Sequence, residues 1–446
     1  MQGKSPNQQT PQSDIFKPLL MSFIDLSHPL IILSQKIDWQ NFEKDFACFY
    51  SQRGAPSKPV RLMVGLLLLK HMFNKSDEVI VEEWKQNPYY QYFTGEIYFA
   101  WTLPCDASDL VYFRKRIGEA GVAKIFSSSL ELHQDKIAQA EAVITDTTVQ
   151  EKNITFPTDD KLRLKAIDKL RKIAKERGLK LKQTFSKEIK SLKLALRFSH
   201  HPKRKKAARK ARKRLKTIAG ILLREVKKNL AGKTNEQEAE FLKIAQQVIY
   251  QERHSKDKIY SIHEPQTACI AKGKSHKPYE FGAKISFSIL AGSCVVVDVS
   301  HFAGNPHDSK TLETVMPKLK QILPEACRYN IVDRGYRGKT KMEGKEILIP
   351  NPAKDSQKGA AYQEWKRKKC RQRAGIEPVI GHLKSDHRML RNYLKGTLGD
   401  KINALLAATA FNFKKALNEI KHRLIFLLHI FHQNIKQKEV KMILYF

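Results

Sequence analysis

Several residue types and patterns are scarce in this 446-residue sequence, and each scarcity excludes a class of protein. The six cysteines include no C-x-x-C pair, which argues against a zinc ribbon and against a disulfide framework. Lys17, Asp25 and His28 interrupt the apolar stretch 15–33, and the apolar run 424–431 is too short to span a bilayer. The first residues are polar and do not resemble a signal peptide. We therefore expect a cytoplasmic protein with reduced cysteines and no membrane partner.

Acidic residues are also scarce relative to basic ones. Lysine and arginine total 81, aspartate and glutamate total 45, and the formal net charge is +36. Hydrophobic residues still make up 41% and aromatic residues 9%, which is typical of a folded protein rather than a disordered one. The length suits two or three domains. A protein that neutralises phosphates gains affinity by releasing counterions, so this charge indicates a polyanionic partner.

The first part of the chain has the periodicity of short helices. Pro59 precedes a strongly apolar stretch, 60–73, which we predict as a helix. A second short helix is predicted over 77–85. Asp106 can cap a third helix that runs to Ile117.

The third predicted helix carries three consecutive cations, Arg114, Lys115 and Arg116. This pattern fits a helix-turn-helix reader of DNA. It fits equally a helical packing domain with ordinary surface charge. The sequence leaves both alternatives open for the N-terminal domain, 1–139.

A basic segment follows at 161–216, with 24 lysines and arginines against three acids, a net charge of +21. Its apolar residues repeat at helical spacing in two series, 185–196 and 207–222, with Ser199–Pro202 as a plausible connection. A capping box, Thr234–Gln237, would open a further helix. We predict a helical arm whose apolar stripe assists dimerisation. Its outer face would bind the phosphate backbone through Lys203, Arg204, Lys205, Lys206, Arg209, Lys210, Arg212, Lys213 and Arg214.

Strand-like segments flank this arm on both sides. The β-branched segment 142–149 comes before it. Further strands are predicted at 267–271, 281–290, 294–299, 329–332 and 347–349, and helices at 309–323, 364–388 and 398–417. The arm is therefore an insertion into one α/β domain.

Three carboxylates stand out in this α/β part. Asp146 lies within a predicted buried strand, Asp333 ends another, and Glu377 lies on a basic helix with Arg373 and Lys384 on the same face. Burying a carboxylate without a partner is unfavourable, so such groups are usually paired, capping or metal-bound. Together they could hold two divalent metals, with Arg373 and Lys384 binding phosphates.

Each carboxylate also has a simpler interpretation. A single aspartate at a strand end is more often a turn or cap residue, and Glu377 alone is more often a surface ion pair with Arg373. Asp308 is the main rival for a catalytic place, and Asp298 a weaker one. We expect Asp308 to cap the helix that follows it and to shape the loop beside the site.

The quoted residues resemble a known family. The segments Val143–Val149, Gly304–Ser309 and Ile331–Tyr336, together with Arg373, Glu377 and Lys384, are similar to the DDE transposases of bacterial insertion sequences, in particular the insertion-sequence-five group. The stretch 38–117 is similar to that group's helical leader domain. The family's tyrosine position on the last helix falls on Cys370, so no role of that tyrosine is implied here.

The resemblance implies an α/β, RNase H-like catalytic domain at 140–160 plus 257–416. The N-terminal all-helical DNA-binding domain would precede it, the basic insertion would occupy 161–256, and a helical tail would occupy 417–446. It implies Asp146, Asp333 and Glu377 as metal ligands and catalytic residues, with Mg²⁺ or Mn²⁺ as cofactor.

The implied reaction is cleavage at the terminal inverted repeats of an element and strand transfer into target DNA. The implied partners are double-stranded DNA and a second subunit in a synaptic homodimer, within a bacterial, nucleoid-associated setting. Two alternatives remain open from the residues: a non-catalytic DNA-binding protein derived from a transposase, and a structure-specific nuclease.

A few other residues are also candidates for a function. We interpret His382 and His387 as solvated or packed side chains, and the Lys272–Lys277 segment as a basic hairpin loop rather than a nucleotide site. Among the tryptophans, only Trp365 has enough neighbouring cations to be a candidate for stacking on a base.

Overall fold

The computed structural model has two compact units. The first comprises Met1–Glu151, Lys284–Phe302 and Pro306–Phe446, and the second comprises Lys152–Ala283 and Ala303–Asn305. The residues that the structure describes are 2–3, 17–51, 53–197, 199, 201–252, 254–273, 277–350 and 358–443, with only the backbone path for 431–443.

The first unit begins with seven helices. They are α1 (Pro29–Lys36), α2 (Trp39–Phe46), α3 (Val60–Met72), α4 (Asp77–Gln86), α5 (Pro88–Phe93), α6 (Ala107–Glu131) and α7 (Gln134–Ala138). Pro59 precedes α3 as predicted, and Asp106 and Asp109 form a reciprocal capping box on α6. Asn87 both ends α4 and caps α5, a helix that the sequence analysis did not predict.

Helix α6 is longer than predicted because the chain continues through Gly118, which has a φ of 57°. A glycine adopts this left-handed conformation without the steric penalty that other residues incur. The chain therefore changes direction at Gly118 and remains helical on both sides.

The core of these helices is shared with the last helix of the chain, α15 (Gly396–Ile443). Helix α3 is buried on nearly all sides, and Leu406, Ala410 and Phe413 of α15 pack into the same apolar cluster. The two parts therefore form one packed body rather than separate cores. Position 417, where we predicted the tail to begin, lies inside this continuous helix.

The sheet of the first unit surrounds the segment 142–152. Strand β1 (Ala142–Lys152) lies between β3 (Tyr279–Leu290) and β5 (Tyr329–Ile331) in the strand order. Strand β4 (Val296–Phe302) pairs antiparallel with β3. Beyond β5 lie β7 (Lys345–Leu348) and β6 (Lys341–Met342), and β8 (Arg391–Asn392) pairs with β1. The predicted strands are thus confirmed as one mixed sheet.

Three helices complete the first unit beside the sheet: α12 (Asp308–Ile322), α13 (Ala360–Arg371) and α14 (Ile376–Ser385). Apolar residues of α12 pack with Val297 of β4 and Val332 after β5 in one core cluster. The predicted single helix 364–388 is in fact α13 and α14, joined by a 3₁₀ turn, Gln372–Gly375.

The second unit contains four helices with their own core: α8 (Asp159–Glu176), α9 (Ser186–Arg197), α10 (Lys205–Asn229) and α11 (Glu236–Tyr250). Strand β2 (Ala268–Ala271) pairs antiparallel with the first residues of β3. Helix α8 and its packing were not predicted from the sequence.

Two details of the predicted arm are corrected. Its apolar stripe is buried inside the unit, with Leu215, Ile218 and Leu222 all at 0% exposure, so it is not a surface for a second subunit. The stripe includes Ala208 rather than Ala207. Within the predicted connection Ser199–Pro202, residue 200 lies outside the described residues.

The cap of α11 is also corrected. The Asn235 side chain accepts a hydrogen bond from the Glu238 backbone N–H, and the Glu238 carboxylate accepts one from the Asn235 backbone N–H. The box is therefore shifted by one residue from the predicted Thr234–Gln237. An amide caps α11 as effectively as the hydroxyl we expected.

Within the described chain, no helix is sufficiently long and apolar to cross a membrane.

Candidate active site

Two of the predicted carboxylates are brought together by parallel strand pairing. In the register of β1 and β5, Val143 pairs with Asn330 and Ile144 pairs with Ile331. Two residues further along each strand lie Asp146 and Asp333, so the pairing carries both to the same level of the sheet. The electrostatic influence of Asp333 on Asp146 agrees with this placement.

Asp146 is a largely buried carboxylate. Its pKa is raised to about 6, mainly by burial and further by the nearby charges of Asp333 and Asp308, while the Thr147 N–H and Arg373 act in the opposite direction. The Thr147 backbone N–H donates a 2.7 Å hydrogen bond to Asp146 Oδ1. A negative charge at this position is thus disfavoured unless a cation is near.

Arg373 is the cation nearest to Asp146 among the recorded ion pairs. Its Nη1 lies 3.4 Å from Asp146 Oδ2, and its Nη2 lies 3.3 Å from Glu377 Oε1. Glu377 is 68% exposed at its side chain. The arginine therefore lies between the strand carboxylate and the helix carboxylate, and the ion pair expected from the four-residue spacing is present.

Asp333 lies two residues after the end of β5 and caps the 3₁₀ turn Arg334–Tyr336. Its Oδ1 accepts a 2.7 Å hydrogen bond from the Gly335 N–H. Asp333 is therefore a turn residue, as its simpler interpretation predicted. The same geometry also places its carboxylate near Asp146.

Asp308 is not the cap of α12, which corrects our expectation. His307 caps this helix through a ring nitrogen that accepts from the Ser309 N–H. Asp308 is the first helical residue, and its Oδ1 lies 2.6 Å from Lys284 Nζ and accepts a 2.8 Å hydrogen bond from Thr147 Oγ1. Because Thr147 follows Asp146 on β1, Asp308 belongs to the same carboxylate group.

Gly335 leaves a small space that two of these carboxylates face. A Cβ atom at this position would lie 3.0 Å from Asp333 Oδ1 and 3.1 Å from Asp308 Oδ2. The absence of a side chain at Gly335 thus keeps open the space between the two carboxylates.

Tyr336 lies beside this acidic group with its ring fully buried. Its hydroxyl has no hydrogen-bond partner among the described residues. Burial raises the pKa of the phenol well above its ordinary value, and the charges of Asp146, Asp308 and Asp333 add to the increase. The phenol therefore lies within the field of all three aspartates.

The donor atoms fit a hard divalent cation, because carboxylate oxygens are the ligands that Mg²⁺ and Mn²⁺ prefer. Asp146, Asp308 and Asp333 lie near one another, and the pKa of Asp146 is raised first by burial and then by the charges of the other two carboxylates. In the described part of the chain, however, no three acidic, histidine or cysteine side chains lie close enough to share one ion. Glu377 points to Arg373, so the predicted three-residue ligand set is not assembled in this arrangement.

The remaining predicted site residues have varied surroundings. Lys384 is half-buried on α14, and Cys370 is a half-buried cysteine on α13. Asp298 is bound by Ser300 Oγ at 2.9 Å and lies 3.9 Å from Lys318 Nζ. Trp365 packs edge-on against Tyr329 at 5.2 Å between ring centroids, which makes it part of the fold. The predicted basic loop 272–277 includes 274–276, which lie outside the described residues.

Sequence reasoning missed Lys284, Thr147 and Tyr336. Lys284 is a buried lysine in the middle of a largely apolar strand, and that contrast was the available signal. Tyr336 follows Asp333 within the glycine-containing turn that drew attention to the aspartate.

The predicted DNA-binding residues of the second unit are exposed. They are Lys203, Arg204, Lys205, Lys206, Arg209, Lys210, Arg212, Lys213 and Arg214. Arg212 forms an ion pair with Asp160, and Arg214 forms one with Glu188. The start of α10 thus presents a concentrated positive surface.

In the N-terminal helical region, only some of the cations predicted on the third helix are available to contact DNA. Arg114 is 3% exposed and bound to Asp77, so it cannot contact DNA in this arrangement. The Arg116 guanidinium lies 4.8 Å from the centroid of the Tyr50 ring. These contacts favour a packing role for this face of α6.

Comparison with known proteins identifies the family of this chain. Residues 18–116 match a family model described as Transposase domain (DUF772), and residues 247–413 match one described as Transposase DDE domain. The second match includes Asp308, Asp333 and Glu377, whereas Asp146 lies outside both. No solved structure matches the chain.

The chain is also 39% identical over 194 residues to an uncharacterized protein, ORF8 of the nfe locus of Rhizobium meliloti. The aligned region covers 42% of this chain and 94% of that protein. The chain belongs to the DDE transposases of insertion sequences. These domains indicate DNA transposition with DNA as the partner, and the family generally uses divalent metal ions.

Proposed function

We propose that this protein is a metal-dependent transposase that cleaves DNA at the ends of an element and joins the freed 3′ ends to target DNA. The observation that carries the proposal is the parallel pairing of β1 with β5, which carries Asp146 and Asp333 to one level of the sheet. Two buried or half-buried carboxylates at adjacent strands are a reason for a cation to bind.

The strand arrangement supports an RNase H-like catalytic domain. Strand β1 is central, with β3 and β4 on one side and the parallel strands β5 and β7 on the other. The boundaries proposed for this domain remain 140–160 plus 257–416, between a helical DNA-binding domain and a helical tail.

We assign Asp146, Asp333 and Glu377 as the residues that hold Mg²⁺ or Mn²⁺. When bound, such ions activate the attacking oxygen and stabilise the leaving 3′ oxygen of a phosphodiester. Arg373 bridges Asp146 and Glu377 in this arrangement, and its guanidinium would be released to bind a DNA phosphate when another cation neutralises the carboxylates.

The basic surface at the start of α10 would bind the DNA backbone. Its nine exposed cations follow one another over 203–214, which suits phosphate contact without base readout. We further propose that the protein acts as a homodimer on two element ends, in the bacterial nucleoid. The buried apolar stripe of α10 is not part of that dimer contact.

A nicking assay on double-stranded DNA that contains the element ends tests the enzyme assignment. With Mg²⁺ present, the parent protein should nick the DNA, and Asp333→Ala should abolish nicking while retaining DNA binding. Equal nicking by both proteins would refute the assignment. DNA binding by the parent without any nicking would favour the non-catalytic alternative. Cleavage of branched DNA without strand transfer would favour the nuclease.

A further inference from the structure

The position of Asp308 is not explained by helix capping, since His307 performs that role. Three elements converge on its carboxylate: β3 through Lys284, β1 through Thr147, and the turn after β5 through Gly335. Two strands and a turn thus meet at one carboxylate at the start of a helix. The convergence therefore requires a separate explanation.

Part of that explanation is the ion pair with Lys284. This lysine is 7% exposed, and its ammonium group also donates a 2.7 Å hydrogen bond to the Pro306 carbonyl oxygen. Both the lysine and Thr147 contact Oδ1 of Asp308. The contacts thus fix the carboxylate in one orientation and turn Oδ2 towards Gly335.

At Gly335 the oxygen Oδ2 faces Asp333. The position of a Cβ on Gly335 would be 3.1 Å from Asp308 Oδ2 and 3.0 Å from Asp333 Oδ1, so both oxygens border one small space. Two acidic oxygens that face the same space repel each other unless a cation lies between them or close by.

A second observation points to an occupant of this group. The Tyr336 hydroxyl is fully buried near the aspartates and forms no hydrogen bond of good geometry in the described chain, although the Thr311 side chain lies close to it. Leaving a buried hydroxyl unsatisfied is unfavourable by roughly 1–3 kcal/mol, so such a group usually has a bound water or ligand as its partner. A hydrated cation supplies water molecules that can satisfy a phenol.

We propose that Asp308 is a fourth acidic residue of the metal site and binds one divalent cation together with Asp333, with Lys284 and Thr147 as its positioning residues. Mg²⁺ in proteins is commonly held by one or two carboxylates and keeps several of its waters, so this pair is sufficient. The inference rests on the proposed metal-dependent function and adds a ligand that the three-residue assignment lacks.

Binding of Mn²⁺ alone to the full-length protein, measured by calorimetry, tests this inference. Asp308→Asn keeps the size and shape of the side chain and should weaken Mn²⁺ affinity by about tenfold or more. Asp333→Asn should weaken it at least as much. Asp298→Asn is the matched control, because this buried carboxylate also lies near a lysine, and its Mn²⁺ affinity should equal that of the parent.

The outcomes separate the two proposals. Weaker binding by Asp333→Asn with unchanged binding by Asp308→Asn would overturn the role of Asp308 and retain the proposed function. Absence of Mn²⁺ binding by the parent protein would overturn both.

A measurement on the unmodified protein covers the case in which Asp308→Asn does not fold. With hydrogen peroxide as oxidant and ascorbate as reductant, Fe²⁺ in place of Mg²⁺ generates hydroxyl radicals that cut the backbone beside its ligands. Cuts within 306–309 as well as 333–336, both suppressed by excess Mg²⁺, are expected. Cuts at 333–336 without any at 306–309 would overturn the inference.

Discussion

Arg114 donates two hydrogen bonds to Asp77, at 2.8 and 2.6 Å, and this ion pair lies inside the N-terminal helical region. Lys70 donates a third hydrogen bond to the same carboxylate at 2.7 Å. The side chains of Lys70 and Arg114 are only 7% and 4% exposed. One carboxylate therefore neutralises two buried cations and ties α3, α4 and α6 together.

We expect Asp77→Asn to lower the free energy of unfolding by about 3–5 kcal/mol, because it leaves two buried cations without their counter-ion. Burial by itself would raise the pKa of Asp77, but Arg114 and Lys70 outweigh burial and hold it well below the ordinary value. The carboxylate therefore stabilises the fold above its unfolded-state pKa, and this stability is lost as the pH falls below that value. Urea unfolding between pH 3 and pH 7 measures both effects.

Glu83→Gln is the matched control for that prediction. Glu83 forms an ion pair with Lys75 at 2.6 Å, but both side chains are 35% exposed. An exposed pair contributes less than about 1 kcal/mol. If both variants lost the same small amount of stability, the buried cluster would not have the importance assigned to it.

Gly335 offers a steric test of the carboxylate group. In Gly335→Ala the new methyl group would lie about 3 Å from oxygens of Asp333 and Asp308, so both carboxylates must move. We expect Mg²⁺-dependent nicking to fall by up to roughly 100-fold, the loss that a displacement of reacting groups by about 1 Å can cause. DNA binding should remain unchanged. Nicking assays and filter binding on the same preparation measure the two quantities.

Gly381→Ala provides the comparison, since Gly381 lies on α14 with Glu377 and a Cβ there would meet no atom within 4 Å. This variant should retain nicking and gain up to about 1 kcal/mol of stability, because alanine favours helix over glycine. If both variants lost nicking, the effect of Gly335→Ala would not be specific to the space beside Asp333 and Asp308.

The basic surface predicts a specific salt dependence. Replacing Lys203, Arg204, Lys205 and Lys206 with glutamine should flatten the plot of log affinity against log salt concentration. Each lost phosphate contact lowers the slope by about 0.9. Fluorescence anisotropy with an end-containing duplex at several salt concentrations provides the measurement.

The control for this experiment removes four exposed positive charges elsewhere in the second unit: Lys227, Lys228, Lys233 and Lys243. A protein that attracts DNA by net charge alone would respond equally to both sets. An unchanged slope in the 203–206 variant would show that this surface does not contact DNA.

Asp298 predicts a stabilising substitution. Burial raises the pKa of this carboxyl to about 6, although Lys318 and Ser300 lower it in part. Because this pKa is raised, the free energy of unfolding falls as the pH rises from the unfolded-state pKa towards about 6. The reason is that the buried group must then ionise inside the fold. Asp298→Asn should thus increase the free energy of unfolding at pH 7.5 by about 2 kcal/mol.

This gain should largely disappear near pH 3, below the unfolded-state pKa, where the carboxyl is mostly protonated in both states. Unfolding in urea at about pH 3 and pH 7.5 provides the comparison. A variant that was less stable than the parent at pH 7.5 would show that the ion pair with Lys318 outweighs the effect of burial.

Much of the carboxylate group could be predicted from local patterns. Asp146 and Asp333 stood out because each interrupts or ends an apolar strand, and Glu377 was paired with Arg373 from a spacing of four residues on a helix. Such relations depend on the repeat of a single strand or helix. They do not require knowledge of distant contacts.

The role of Asp308 could not be predicted in this way. Local sequence makes an aspartate before a helix a good cap, and the adjacent His307 is an unusual alternative. Its actual partners, Lys284 and Thr147, lie 24 and 161 residues away in the chain. The same holds for Arg114, whose surface role was inferred from its neighbours but whose partner Asp77 lies 37 residues away.

The sequence by itself determined the excess of positive charge, the spacing of apolar residues in strands and helices, and the residues that can carry metal chemistry, because these properties belong to single residues or to local repeats. The tertiary structure alone decided which charges are neutralised inside the protein and which face solvent or one another. Electrostatic interactions and burial depend on distances through space, and residues far apart in the chain set those distances.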